Sequence, residues 1–150
     1  PFTALSSFIK KSSSSIGFGA QDVHYEEEGA FTGSISASML KQLGVKFVII
    51  GHSERRQYQN ESISELSKKI NSALSKNLKV IFCIGETLKE KKNGKTRFIL
   101  SKQIRLGLDK IKKKSSIFIA YEPVWSIGTG KIPKKKELDQ IIKFIKNFLI

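Results

Sequence analysis

Two side chains able to move protons stand where apolar runs stop. His52 follows Ile49-Ile50-Gly51 and is itself followed by Ser53-Glu54-Arg55-Arg56. Glu122 follows Ile119-Ala120-Tyr121 and precedes Pro123. Ser53 and Glu54 can open a helical turn behind His52, and a helix N-terminus disfavours the protonated ring. The imidazole can then act as a neutral hydrogen-bond donor; the alternative for a lone histidine is one hydrogen-bonded in a loop. Pro123 biases Glu122 toward an extended backbone, which keeps its carboxylate at a strand tip. Apolar neighbours there would favour the protonated acid and make the carboxylate a useful base; the alternative is a solvated glutamate in an ordinary strand-helix loop. One base and one proton-donating electrophile, facing each other, are what transfer of a proton between adjacent carbons needs. Each positioned group is worth roughly 10²- to 10⁴-fold in rate.

Two loops accompany this pair. Val124 to Lys131 reads as a lid, with the large apolar Trp125 followed by Gly128 and Gly130, whose backbone can move or approach an anion closely. The stretch from Gly19-Ala20-Gln21-Asp22 to Gly29-Ala30-Phe31-Thr32-Gly33 is long for a compact domain, as functional or partner-binding loops are. Phe31 among small residues suggests a docked tip. Gly128-Thr129-Gly130-Lys131 lacks the earlier glycine and the hydroxyl of a P-loop, and no G-x-G-x-x-G run occurs. His24, His52 and Cys83 are too few and too scattered for a metal site. Cys83, inside an apolar run, reads as core.

The elements that must hold these groups alternate between strand and helix. Short apolar runs at Ile16 to Ala20, Phe47 to Gly51, Val80 to Ile84 and Ile117 to Tyr121 read as strands covered on both faces. Ser62 stands three residues before Glu65, a capping-box spacing, ahead of Leu66, Ile70, Ala73 and Leu74 on one helical face. Leu100, Ile104, Leu108 and Ile111 mark another helix. Pro133 fits the first turn of a last one, carrying Leu138, Ile141, Ile142, Ile145 and Leu149. Helices are also expected over Phe2 to Lys10 and Ser36 to Gln42, with the serine run from Ser12 to Ser15 as a linker inside a single domain over residues 1–150. From Ile49 to Ile81 is 32 residues and from Ile81 to Ile119 is 38, the length of one strand-helix unit. The pattern fits parallel strands with helical crossovers, in either a barrel or a doubly wound sheet.

Composition narrows the function classes. The 150 residues are 39% hydrophobic and 27% charged, an ordinary globular balance. The formal charge of +14 comes mostly from lysine: of 27 basic residues, Arg55, Arg56, Arg97 and Arg105 are the arginines. The lysines are spread over helix faces and turns, at Lys68-Lys69, Lys89 to Lys92, Lys112 to Lys114 and Lys134 to Lys136, with no aromatic stacking platforms between them. This argues for a solvated surface rather than nucleic-acid binding. No apolar stretch is long enough for a membrane span, no secretory leader opens the sequence, and one cysteine fits a reducing compartment. A cytoplasmic protein is expected.

Four segments together resemble the triosephosphate isomerase family in order and spacing: Gly29-Ala-Phe-Thr-Gly33, Ile50-Gly-His-Ser-Glu-Arg-Arg56, Cys83-Ile-Gly-Glu86 and Tyr121-Glu-Pro-Val-Trp-Ser-Ile-Gly-Thr-Gly130. The resemblance covers essentially the whole sequence and about 60% of a family chain of about 250 residues. It implies an α/β fold, a partial (β/α)8 TIM barrel of four parallel strands with flanking helices. It implies interconversion of dihydroxyacetone phosphate and D-glyceraldehyde 3-phosphate through an enediolate, with no metal or organic cofactor. By resemblance Glu122 is the base, His52 the electrophile and Glu54 a supporting carboxylate. Gly128 is the lid glycine whose N–H binds phosphate. Gln21, Thr32 and Gly33 belong to the loop that enters the neighbouring subunit of a homodimer.

The sequence departs from the family at several points. The Asn-x-Lys segment whose lysine binds phosphate has no counterpart, and neither do the phosphate-binding loops of the last two strands. Ser34 stands where the family usually has glutamate, and Ser126 where alanine is common. A chain truncated relative to the family, poorly folded or inactive by itself, is therefore expected. The alternative function is a non-catalytic half-barrel serving as a binding or scaffold protein.

Overall fold

The structure, a computed structural model, describes residues 1–12, 15–112 and 114–148. Ser13 and Ser14 of the linker, Lys113 of a lysine run and Leu149 of the last apolar face lie outside the described residues. Helix α1 (Phe2–Lys11) leads to strand β1 (Gly19–Ala20), and α2 (Ala37–Leu43) to β2 (Phe47–Ile50). Two helices, α3 (Ser53–Tyr58) and α4 (Ile63–Ser75), precede β3 (Lys79–Ile84). Then come α5 (Leu88–Lys92), α6 (Thr96–Gly107), β4 (Ile117–Tyr121) and α7 (Lys135–Lys146).

The four strands form one parallel sheet in the order β1-β2-β3-β4. Spatial order equals chain order, with no reversal. A doubly wound sheet turns back at a switch point; this one advances as a barrel does, which resolves the choice that pattern left open. The register aligns Ile50 with Phe82 and Phe82 with Ile119, so these side chains share one face. Val48, Ile50, Val80, Phe82 and Ile84 are fully buried there, against α4 and α6.

The expectation that both sheet faces are covered is corrected. On the opposite face Ile49, Ile81 and Phe118 are aligned, and Phe118 is 53% exposed. Runs apolar on both faces report what each face can bury; the described helices lie against one of them. The first strand is also shorter than its apolar run. Gly44, at φ 95°, caps α2, and Val45 donates its N–H to Leu40 O. The chain just before β2 is thus committed to the cap, and pairing reaches back no further than the bond from Lys46 N to Phe18 O at 2.9 Å. Ile16 is left without a partner strand and is exposed.

Helix starts follow local chemistry. Ser62 and Glu65 form the expected capping box on α4. Thr87 and Glu90 form a second on α5. Pro133 lies outside α7, because Lys134 is the extended N-cap and the first turn begins at Lys135. The register of that helix is set by Ile141 and Ile145, which are buried. Likewise α6 stops at Gly107, though Leu108 and Ile111 beyond it still join the core. Among the described residues no helix is long and apolar enough to cross a membrane.

Candidate active site

His52 and Glu122 meet at the ends of β2 and β4. The Nε2 atom of His52 lies 2.6 Å from Glu122 Oε1. Gly51, with φ 76°, turns the chain sharply after β2, and a Cβ there would lie 2.9 Å from both Arg56 Nη2 and Leu66 Cδ1. That turn makes His52 the N-cap of α3. Its Nδ1 accepts the N–H of Glu54 at 3.4 Å, so the ring proton belongs on Nε2, aimed at Glu122. The second carboxylate oxygen, Oε2, accepts the Ser53 N–H at 3.0 Å. The short helical turn expected behind His52 therefore touches both members of the pair.

Glu122 is held by its backbone. Its N–H donates to Ile84 O at 2.8 Å, continuing the ladder past β4. Its carbonyl passes over Gly85 so closely that a Cβ on residue 85 would lie 1.8 Å from the oxygen. The Gly85 backbone is satisfied from the other side by Gln103 of α6, whose Oε1 accepts the Gly85 N–H and whose Nε2 donates to the Gly85 carbonyl, both at 2.9 Å. Arg56 ties the strand ends together, donating from Nε to Gly51 O at 2.8 Å and from Nη2 to Cys83 O at 2.7 Å. Cys83 is a core residue as expected. Burial pushes its thiol up to about 11, with the Glu122 charge adding to the rise and Arg56 opposing it.

Glu86, Gly85, Gln103 and Arg56 were given no part in the site by sequence reasoning. Glu86 has no exposed surface and accepts from Tyr121 Oη at 3.2 and 3.1 Å and from Trp125 Nε1 at 2.9 Å. Burial, with the Glu86 charge beside it, raises the Tyr121 hydroxyl above its ordinary range. The sequence signal for Glu86 is a charged residue directly after the apolar run Val80 to Ile84 and Gly85. Its donors arrive only through the pairing of β3 with β4.

The remaining residues fall in three places. Glu54 Oε2 lies 3.6 Å from His52 Nδ1, on a side chain 67% exposed. Gln21 lines a cavity of about 390 Å³ together with Phe2, Asp22, Ile49, His52, Glu54 and Arg55. Gln21 thus shares a cavity with His52. Thr32 is exposed in the long loop, and Gly33 borders an adjoining cavity of about 220 Å³ that shares Phe2, Asp22 and Arg55 with the first. Gly128 is exposed in the loop after β4. That loop, read above as a lid, starts with a 3₁₀ turn, Val124–Ser126, and its tip is closed by side-chain bonds from Ser126 Oγ to Lys131 O and from Thr129 Oγ1 to Trp125 O.

The long loop is docked on its own scaffold. The Phe31 and Tyr25 rings each lie 4.5 Å from the His24 ring, centroid to centroid. Glu27 accepts from Ser38 of α2 and Ser72 of α4. At the loop's start Asp22 pairs with Lys69 at 2.8 Å and Arg55 at 2.7 Å, and Glu61 joins both cations. Among the described residues no three His, Cys, Asp or Glu side chains cluster so as to hold a metal ion.

His52 and Glu122 meet as the resemblance implies, and comparison with known proteins decides the family. The family model for triosephosphate isomerase matches residues 1–150. The chain belongs to the triosephosphate isomerase family. The triosephosphate isomerase of Alkaliphilus metalliredigens is 47% identical over 99% of this chain and 61% of its own length. That of Clostridium tetani is 48% identical over 86% of this chain and 51% of its own. That of Thermodesulfovibrio yellowstonii is 50% identical over 90% and 55%. The chain thus spans between about half and three-fifths of the length of these relatives.

Proposed function

We propose that this chain carries the acid–base centre of a triosephosphate isomerase, interconverting dihydroxyacetone phosphate and D-glyceraldehyde 3-phosphate. The observation behind this reading is the 2.6 Å contact between His52 Nε2 and Glu122 Oε1. Without substrate the two groups satisfy each other. A substrate carbonyl that takes the Nε2–H, with its neighbouring carbon facing Oε1, separates them and uses both.

Glu122 then removes the proton next to the carbonyl while His52 donates its hydrogen bond to the oxygen that becomes the enediolate. Glu122 returns the proton to the neighbouring carbon, while His52 passes its Nε2 proton to the former carbonyl oxygen and takes back the proton that the neighbouring hydroxyl releases as it becomes the new carbonyl. The ring donor stabilises charge that develops only in the transition state, which is where binding raises rate. Glu54 supports the imidazole through its backbone N–H, which donates to Nδ1. Gly128 N–H grips the phosphate when the lid excludes water, and water exclusion protects an enediolate from losing phosphate.

We further propose that residues 1–150 act as one structural unit, that the enzyme works in the cytoplasm, and that Gln21, Thr32 and Gly33 lie in a loop serving a homodimer. Turnover of glyceraldehyde 3-phosphate in a coupled assay tests the central reading. Activity in the purified chain that falls by at least roughly 10²-fold in Glu122→Gln supports it. A folded chain that binds triose phosphate without turning it over supports the non-catalytic half-barrel instead.

A further inference from the structure

Trp125, the one tryptophan of the sequence, is gripped on two sides at the start of the lid. Its Nε1–H donates to Glu86. Over its ring face stands the ammonium of Lys91, 3.9 Å from the ring centroid. The same ammonium is paired with Glu137. Lys91 belongs to α5, and Glu137 lies in the first turn of α7, the helix that follows the lid. One cation therefore touches the residue where the lid begins and the helix into which it runs.

We propose that Lys91 is a positioning residue of the lid, a charged clamp that holds Trp125 and α7 together and must slacken when residues 124–131 swing. This rests on the reading of that segment as the lid over a triose phosphate. An ammonium over an indole face is attracted by the ring quadrupole. Glu137 fixes the ammonium in place, but that pair is partly exposed and so weakens as salt rises. The clamp needs the charge rather than the four-carbon stem. Arginine keeps it, and methionine keeps only the packing.

Trp125 reports on its own clamp. Quenching of its emission by acrylamide, a neutral quencher, is measured on the chain without any ligand. In Lys91→Met the detached population rises roughly two- to fivefold and quenching rises with it. Lys91→Arg stays at the parent level, and Glu137→Gln falls between. Raising salt to about 1 M moves the parent in the same direction and leaves Lys91→Met unchanged. Should Lys91→Met lose its far-ultraviolet helix signal, the salt response of the parent and the Glu137→Gln variant decide the matter. Equal quenching in parent and folded Lys91→Met, or a parent signal indifferent to salt, overturns the clamp. No turnover is needed for this readout. A chain inactive as an isomerase can still show the clamp, and an unresponsive indole leaves the Glu122 chemistry standing.

Discussion

The main-chain oxygen of Glu122 occupies the space a side chain on residue 85 would need, 1.8 Å from the Cβ position. The carboxylate proposed as the base thus starts from a backbone that can lie where it does only because residue 85 is glycine. In Gly85→Ala the strand end must move. Turnover is expected to fall roughly 10²-fold, as for a misplacement of about 1 Å, with stability lower by about 1–3 kcal/mol. Steady-state kinetics beside a urea melt check this. Parental turnover in Gly85→Ala would show that Glu122 is positioned by something else.

His52→Gln keeps a donor near the carboxylate but loses the ring whose Nδ1 is fixed by the Glu54 N–H. A fall in kcat of roughly 10²- to 10⁴-fold is expected with little change in the melting curve. Solvent-exchange measurements on the substrate carbon separate lost polarisation from lost base, because Glu122 still exchanges the proton when His52 is replaced.

Lys69 is almost wholly buried between Asp22 and Glu61. Removing the cation in Lys69→Met strands two carboxylates that Arg55 alone must then serve. The expected loss is about 3–5 kcal/mol in a denaturant melt, because an unpaired buried charge costs more than the pair contributed. Lys69→Met with Glu61→Gln should recover part of it.

Cys83 gives an alkaline signature. Below pH 9 the thiol keeps its proton in both folded and unfolded chains. Between pH 9 and about 11 the unfolded chain releases the proton and the folded one retains it, so stability falls as pH rises. The expected contribution is roughly 2–3 kcal/mol across that window. Cys83→Ala should show a flatter stability curve there than the parent. Iodoacetamide at pH 8 should label the native chain slowly and the urea-unfolded chain at an ordinary rate.

The strands were legible because Phe47 to Ile50 and Ile117 to Tyr121 are apolar, β-branched or aromatic, and too short for helices. The cap at Ser62 was legible because Glu65 lies within its reach along the chain. His52 and Glu122 were legible because each ends such a run. What surrounds them was not. Gly85 matters through a carbonyl from another strand, and Gln103 through a helix turned toward it. Glu86 acquires its donors Tyr121 and Trp125 only when β3 and β4 align. The misjudged sheet face and the short β1 have the same root. Apolarity records what a surface can bury, and pairing depends on what its neighbours have left free.

Gly51, Arg56, Gly85, Gln103 and Glu122, with the strands β2 and β4 that carry the imidazole and the carboxylate and the Pro123 that follows, lie in one uninterrupted stretch from Phe47 to Pro123. The lid and the long loop flank it on either side. Such an arrangement makes the proton-transfer geometry heritable as a cassette. A crossover or graft joining outside residues 47 to 123 exchanges flanking parts that grip and enclose a molecule, and keeps β2, β4 and the groups between them that space acid and base.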